Sequence, residues 1–306
     1  MESHSRTSPA PRPDAVRNAA VAGTFYPAAP QALQKTVDAL LAEAHLESSP
    51  PDVIALLAPH AGYVYSGGVA AHAYKLLPGR APQTIAVIAP SHFERFPFIA
   101  LFSGRAYATP LGEVPVSQNL VEELLQRDEL FVASWQGHHE TGARTEHALE
   151  VQLPFLQRVW PESALLPIIM GEQSWEMCEV LARNLAALAA KHSLLLLASS
   201  DLSHYHELRE AQALDQQCLK LLAAGEAKKL FAAFQKRDCE ACGAGPIIAT
   251  MLAAQQLGEN QIEVLCYNHS GVVSGDWDCV VGYAAVSFSR RQEPRIDSSL
   301  KPTHLI

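Results

Sequence analysis

Between residues 31 and 289 the chain alternates two hydrophobic rhythms. "QALQKTVDALLAEA" (31–44) spaces Leu33, Val37, Leu40, Leu41 and Ala44 at the interval that lays one apolar stripe along a helix, and "VIALLA" (53–58) is an unbroken apolar run of strand length. Ser66 is placed to cap a helix through "GGVAAHAYKLL" (67–77), strands are predicted at 84–89 and 98–104, and Ser117 opens a helix running to 128. Thr145 opens "TEHALEVQLPFLQRVW" (145–160), with Leu149, Leu153 and Leu156 as its buried stripe and Pro154 as a kink or early stop.

"ALLPIIMG" (164–171) and "LLLLASS" (194–200) read as buried strands on either side of a helix at 174–192. Helices at 207–225 and 226–238 follow, then a Gly-started helix at about 243–257 and strands at 261–268 and 277–288. This alternation predicts an α/β protein, a three-layer α/β/α sandwich around a mixed, mainly parallel central sheet. "ATPLGEVPV" (108–116) and the last two strands alternate apolar and polar positions, as antiparallel members of that sheet would. No linker or fixed-period repeat divides residues 20–289, which read as one domain. A polar, Pro/Ser-rich lead-in at 1–19 is expected to be disordered, and residues 290–306 to form a loose polar tail.

Composition narrows the function classes. At 306 residues and 48% hydrophobic the chain can bury a large core, and a net charge of −9 disfavours nucleic acid or an anionic membrane as partner. Small molecules, metals and proteins remain. The lead-in lacks the basic start and apolar core of a secretory signal, and no apolar run reaches the roughly 18 residues of a membrane span, so a cytoplasmic location is expected. Six cysteines without dense spacing are expected to be reduced thiols.

The candidate chemistry sits where the apolar runs stop. His60, His92 and Asp201 each lie seven residues beyond the first apolar residue of a strand, at 53, 85 and 194. Ligands of open α/β sheets collect outside the carboxyl ends of the strands, so His60 and His92 are candidate metal ligands, with Asp201 and the nearby His204 on the same rim. Cys242 stands just before a helix start, where the helix dipole favours the metal-binding thiolate, and is a candidate third ligand. Cys239 completes a CxxC with it, read as two reduced thiols or a redox pair, because a zinc ribbon needs a second CxxC. Glu146, His147 and Glu150 fall on first helical turns, where acids stabilise the N-terminus; His147 and Glu150 are also pocket candidates. His138 and His139 are read as an exposed loop and His72 as packing. Asn268 and Ser270 are read as rim donors or as parts of a plain connecting loop.

Several stretches together resemble one family: "VAGTFYP" (21–27), "APHAGYVYSGGVAAHAY" (58–74), "APSHF" (89–93), "EHALEVQLPFL" (146–156), "SSDLSHY" (199–205) and "CGAGPI" (242–247). They resemble the Memo family, whose bacterial members are called AmmeMemoRadiSam system protein B. The resemblance runs in order from about residue 20 to 288. It implies a LigB-like fold, shared with the class III extradiol dioxygenases, and a metal site made by His60, His92 and Cys242. His204 and Asp201 would stand beside that site as catalytic groups, with Tyr63 and Tyr65 lining the pocket. The implied cofactor is iron, with copper or zinc as alternatives. The implied partners are an AMMECR1-like protein and a radical-SAM protein; an animal member binds phosphotyrosine peptides. The dioxygenases use two histidines and a carboxylate, so a cysteine in the third place keeps ring cleavage from following from fold alone. Two readings result, a non-haem metalloenzyme with dioxygenase-like activity and a non-catalytic metal- or ligand-binding module of a multiprotein system. A zinc hydrolase is a weaker third.

Overall fold

The computed structural model describes residues 9–46, 52–76, 81–259 and 261–290. The chain opens with β1 (Val16–Arg17), α1 (Pro30–Glu43), β2 (Val53–Ala58), α2 (Tyr63–Lys75) and β3 (Thr84–Pro90). Short elements follow: β4 (Ile99–Leu101), β5 (Ala106–Thr109), β6 (Gly112–Pro115), α3 (Gln118–Leu125) and β7 (Phe131–Ala133). Then come α4 (Leu153–Val159), β8 (Ala164–Met170), α5 (Trp175–Ala189), β9 (Leu194–Ser199) and β10 (His204–His206). The last part comprises α6 (Leu208–Ala223), α7 (Ala227–Lys236), α8 (Ala244–Gln256), β11 (Gln261–His269), the single-turn α9 (Gly271–Ser274) and β12 (Val280–Ser289).

Among the described residues the main sheet has nine strands, in the order β10-β12-β2-β9-β3-β8-β4-β7, with β11 on the other side of β12. β2, β9, β3 and β8 run parallel and are buried almost throughout, which is why their sequences are unbroken apolar runs. β12 pairs antiparallel with β2 and β11, and β4 antiparallel with β8, so the sheet is mixed. Helices α1, α2 and α4 pack together over one face, α2 lying against β2 and β12. Helices α5 to α8 cover the other, α8 lying against β2, β3 and β9. This is the expected three-layer α/β/α arrangement.

Three local expectations need correction. Segment 108–116 does form an antiparallel hairpin, but β5 and β6 join β1 in a separate three-stranded sheet. Pro115 on β6 has no N–H to offer a further strand, and only a bridge from Val116 to Leu165 reaches the main sheet. Ser66 does not cap α2, which already starts at Tyr63; its hydroxyl donates to Ala61 O at 2.9 Å from inside the first turn. Thr145 likewise opens no helix: residues 150–152 form a 3₁₀ turn and α4 begins at Leu153. Pro154 occupies the first turn of α4, where its missing N–H costs nothing, so the proline marks the start of the helix and not a kink in it.

The lead-in is also shorter than expected. Residues 1–8 lie outside the described residues, as do 291–306 of the C-terminal tail, but Val16 and Arg17 already belong to a strand and Arg17 is 1% exposed. Arg17 forms an ion pair with Glu150, and its guanidinium also donates to the backbone oxygens of Glu146 and His138. Among the described residues no helix is long and apolar enough to cross a membrane.

His138 is buried, contrary to its reading as an exposed loop residue. The Tyr107 hydroxyl donates to its Nδ1, and its Nε2–H donates to Ala100 O at 3.3 Å. That ring is therefore neutral, and burial lowers its pKa from 6.5 to about 3. A histidine that resists protonation only in the folded state contributes stability above pH 6.5, and the contribution is lost as pH falls from 6.5 toward about 3. The stability advantage of the parent over His138→Gln, read from urea midpoints, is expected to shrink steadily on acidification through that interval. An advantage independent of pH would show that His138 titrates alike in both states.

Candidate metal centre

Pro59 follows β2 and Pro90 ends β3; neither has an N–H to continue the ladder, so the chain leaves the sheet at the same edge in both places. The residues delivered there are His60 and His92. Between them, β9 ends at Ser199 and runs into Ser200 and Asp201. Cys242 arrives from the opposite direction, just before Gly243, the N-cap of α8. A Cβ at Gly243 would lie 2.6 Å from Ser199 O and 2.7 Å from Ser200 Cβ, so only glycine lets α8 approach the end of β9 this closely. The Gly243 N–H donates to Ser200 Oγ at 2.8 Å, and Gln173 clamps the turn from outside, donating to Cys242 O at 2.9 Å and accepting from Gly245 N at 2.6 Å.

These elements bring one donor atom each of His60, His92 and Cys242 within 4.8 Å of one another. Cys242 Sγ is 3.2 Å from His60 Nε2 and accepts from the Asp201 N–H at 3.3 Å. His60 is 1% exposed, and its Nδ1 lies 2.9 Å from Ser199 Oγ. His92 is held by both oxygens of Glu146: its backbone N–H donates to Oε2 at 2.7 Å and its Nδ1 to Oε1 at 2.9 Å, leaving Nε2 for Cys242. His147 stacks on His92 with ring centroids 4.8 Å apart. A second cluster, His92 with Glu146 and His147, shares His92 with the first. Two imidazoles, each with its other nitrogen engaged, and a thiol suit a soft or borderline transition metal.

Burial pushes the His60 ring well below its ordinary pKa, and the neighbouring imidazoles add to that. Burial also opposes charge on His92, but its hydrogen bonds to Cys242 and Glu146 outweigh it and hold that ring up at about 10. Burial would raise Glu146; its bonds from His92 prevail and keep the carboxyl at about 2. His147 is lowered to about 4, chiefly by burial. Asp201 is raised to about 7 by burial, partly offset by the His60 N–H it accepts.

The site opens into a cavity of about 550 Å³. Its polar floor comprises the three donors with His147, Asp201 and His204; Phe25, Phe93, Tyr205, Val281 and Tyr283 form its walls. Phe25 is brought there by a backbone bond from Tyr63 N to Phe25 O at 2.8 Å. Val281 and Tyr283 arrive because β12 is antiparallel, placing its first residues at the edge where the parallel strands end. Tyr205 adopts the left-handed backbone region (φ 62°), an unfavourable conformation for a tyrosine, at the mouth.

Comparison with known proteins matches this chain, over residues 17–287, to the family model described as Memo-like protein. The chain belongs to the Memo family. It is 36% identical over 274 residues to a MEMO1 family protein of Methanosarcina barkeri, covering 89% of this chain and 99% of that one. The corresponding figures are 32% over 285 residues for a MEMO1 family protein of Methanopyrus kandleri (90% and 99%) and 30% over 278 residues for one of Nitrosopumilus maritimus (89% and 99%). An uncharacterized Escherichia coli K12 protein of known crystal structure superposes at a TM-score of 0.48 with 16% identity, covering 76% of this chain and 98% of that one.

In this Memo-family chain the remaining candidates divide. His60, His92, Cys242, Asp201, His204 and His147 all line the cavity. Glu150 does not: Arg17, Tyr26 and the Ala20 and Val21 N–H groups consume its carboxylate in the core. Tyr63 is buried with its hydroxyl donating to Val151 O at 2.7 Å, and Tyr65 is 43% exposed on the first turn of α2; neither lines the cavity. Asn268 and Ser270 accept from the backbone N–H groups of His269 and Val281, so they serve the connection itself. Asp201 acts on the backbone and not on a ring: its Oδ1 accepts from the His60 backbone N–H at 2.7 Å. Cys239 is buried and hydrogen-bonded to Cys218, so its partner is not the other cysteine of the CxxC. All six cysteines are free thiols. The groups that orient the two rings, Glu146 and Ser199, were not singled out for that role by the sequence. Gln152, which backs Ser199, had left a signal: a polar residue between the apolar positions 149, 153 and 156.

Proposed function

We propose that this protein is a cytoplasmic non-haem metalloenzyme that binds iron through His60, His92 and Cys242 and acts on a small planar substrate by dioxygenase-like redox chemistry. What most supports this reading is the placement of three convergent donors on the floor of an open cavity, which leaves the cavity side of the centre for an exogenous ligand. Iron, when bound, supplies Lewis acidity and one-electron chemistry; the sulfur donor also suits copper or zinc. His204 donates its Nδ1–H to Leu202 O at 2.8 Å, and burial lowers its pKa; in the neutral ring Nε2 is then the bare nitrogen and can accept a proton from a substrate hydroxyl. Phe25, Phe93 and Tyr283 give the cavity an aromatic lining suited to a flat ligand.

A second reading, a metal module without turnover that docks AMMECR1-like and radical-SAM proteins, draws support from the apolar mouth. Phe93 is 54% exposed and Tyr205 74%, with Val64, Val272 and Val273 also exposed on segments that adjoin the rim.

Metal analysis of anaerobically purified protein is expected to give close to one iron per chain. Nitric oxide should then bind the iron with a new paramagnetic signal, and a catechol should both perturb that signal and stimulate oxygen uptake. Tightly held metal that ignores nitric oxide and catechol would reject the enzyme and favour the docking module.

A further inference from the structure

The structure assigns to Ser199, backed by Gln152, the role of a positioning residue that locks His60 in the tautomer whose Nε2 is free to bind metal. This rests on the metal-site reading above and adds to it a group outside the ligand set.

Ser199 is fully buried, and its hydroxyl has three polar neighbours: Ala148 O at 2.6 Å, Gln152 Nε2 at 2.7 Å and His60 Nδ1 at 2.9 Å. A hydroxyl has one proton to give and two lone pairs to receive. Ala148 O can only accept, so the serine proton goes there. Gln152 can only donate through the atom that faces Ser199. The same NH₂ group lies 3.1 Å from Pro59 O, whereas the Gln152 Oε1 receives the Tyr74 hydroxyl; the reversed amide would set oxygen against the Pro59 oxygen. One lone pair of Ser199 is thus filled by Gln152, and the remaining one faces His60 Nδ1. That contact is a hydrogen bond only if Nδ1 carries the proton.

Every other orientation in the chain Tyr74, Gln152, Ser199, Ala148 is fixed, so the tautomer of His60 is fixed as well. With Nδ1 protonated, Nε2 presents a bare lone pair toward Cys242 Sγ, 3.2 Å away. The opposite tautomer would set two lone pairs against each other at Ser199 and bring a proton into the metal position. Gln152 reinforces this, because its bond to Pro59 O holds the backbone immediately before His60. Outer partners of this kind typically govern affinity by about 10- to 100-fold.

The test uses the metal-free full chain first. Long-range ¹H–¹⁵N correlation of the imidazoles, with the His60 signal identified by its loss in His60→Gln, is expected to show Nδ1 protonated and Nε2 bare. In Ser199→Ala that signal should shift to the Nε2–H form or to a mixture, while His92 keeps its own pattern. Affinity for cobalt(II), measured by chelator competition, should fall about 10- to 100-fold in Ser199→Ala. Ser199→Thr, which keeps the hydroxyl, should restore both the pattern and the affinity. A parent His60 in the Nε2–H form overturns the inference whatever the variants do. Equal cobalt(II) affinity in parent and Ser199→Ala overturns it and leaves the metal centre standing. A parent that takes up no metal but has the Nδ1–H form overturns the metal-site reading and supports the tautomer lock.

Discussion

Cys242→Ser is expected to lower metal affinity by more than the roughly 100-fold that loss of an outer-sphere partner can cost, because it removes a ligand and not a support. The exchange of sulfur for oxygen is nearly isosteric, and the turn around it is held by Ser200, Gln173 and backbone groups, so the fold should survive. What disappears is the soft donor beside the two rings; a neutral serine hydroxyl is a poor ligand for iron, copper or zinc. Loaded with cobalt(II), the parent should show a sulfur-to-metal charge-transfer band that Cys242→Ser lacks. Cys239→Ser should keep that band, since Cys239 is buried against Cys218. Cys242→Asp should lose the band yet recover iron, as it recreates two histidines and a carboxylate. If the parent and Cys242→Ser retained metal equally, Cys242 would be no ligand, and His204 would be the next candidate on the same cavity floor.

Arg17→Ala is expected to cost about 3–5 kcal/mol of stability, more than any exposed charge on this molecule could. Arg17 and Glu150 have side chains 1% and 0% exposed, and removal of the guanidinium leaves a carboxylate in the core with only two backbone N–H groups and the Tyr26 hydroxyl. A clear fall in the urea midpoint measures the loss. Arg17→Met combined with Glu150→Gln should recover a large part of it, because no uncompensated charge then remains. A chain started at residue 20, where sequence alone would place the start of the domain, should be at least as unstable as Arg17→Ala. An unchanged midpoint in Arg17→Ala would mean that Glu150 has another counter-charge or reaches water.

The contrast between these residues shows what sequence could and could not disclose. β2, β3, β8 and β9 were legible because a strand buried on both faces is apolar nearly throughout, with polar residues only at its ends, such as Thr84 and Ser199, and few other structures leave so plain a trace. His60 and His92 were legible for the same reason, standing where such a run must stop. Arg17 was not: amid serines and prolines it reads as solvated, and only a carboxylate 133 positions away makes its burial tolerable. Glu146 was misread for a related cause. Its neighbourhood looks like a helix start, yet Pro154 delays the helix and frees the carboxylate to clamp His92, 54 residues earlier. Tyr63 was assigned to the pocket on the strength of its motif, but α2 begins at that residue and turns the ring inward.

The 182 residues that separate His60 from Cys242 also set a schedule for biosynthesis. A ribosome adding about 5–20 residues per second takes roughly 10–35 s between those two residues. Through that interval His60 is on a chain that has neither the sulfur nor the antiparallel last strand that walls the cavity. The emerging polypeptide therefore carries imidazoles, carboxylates and, later, the thiols of Cys178, Cys218 and Cys239, but not the set of His60, His92 and Cys242. On the proposed metal-site reading, selection of the metal falls to the completed protein, in competition with whatever buffers the cell's free metal pool.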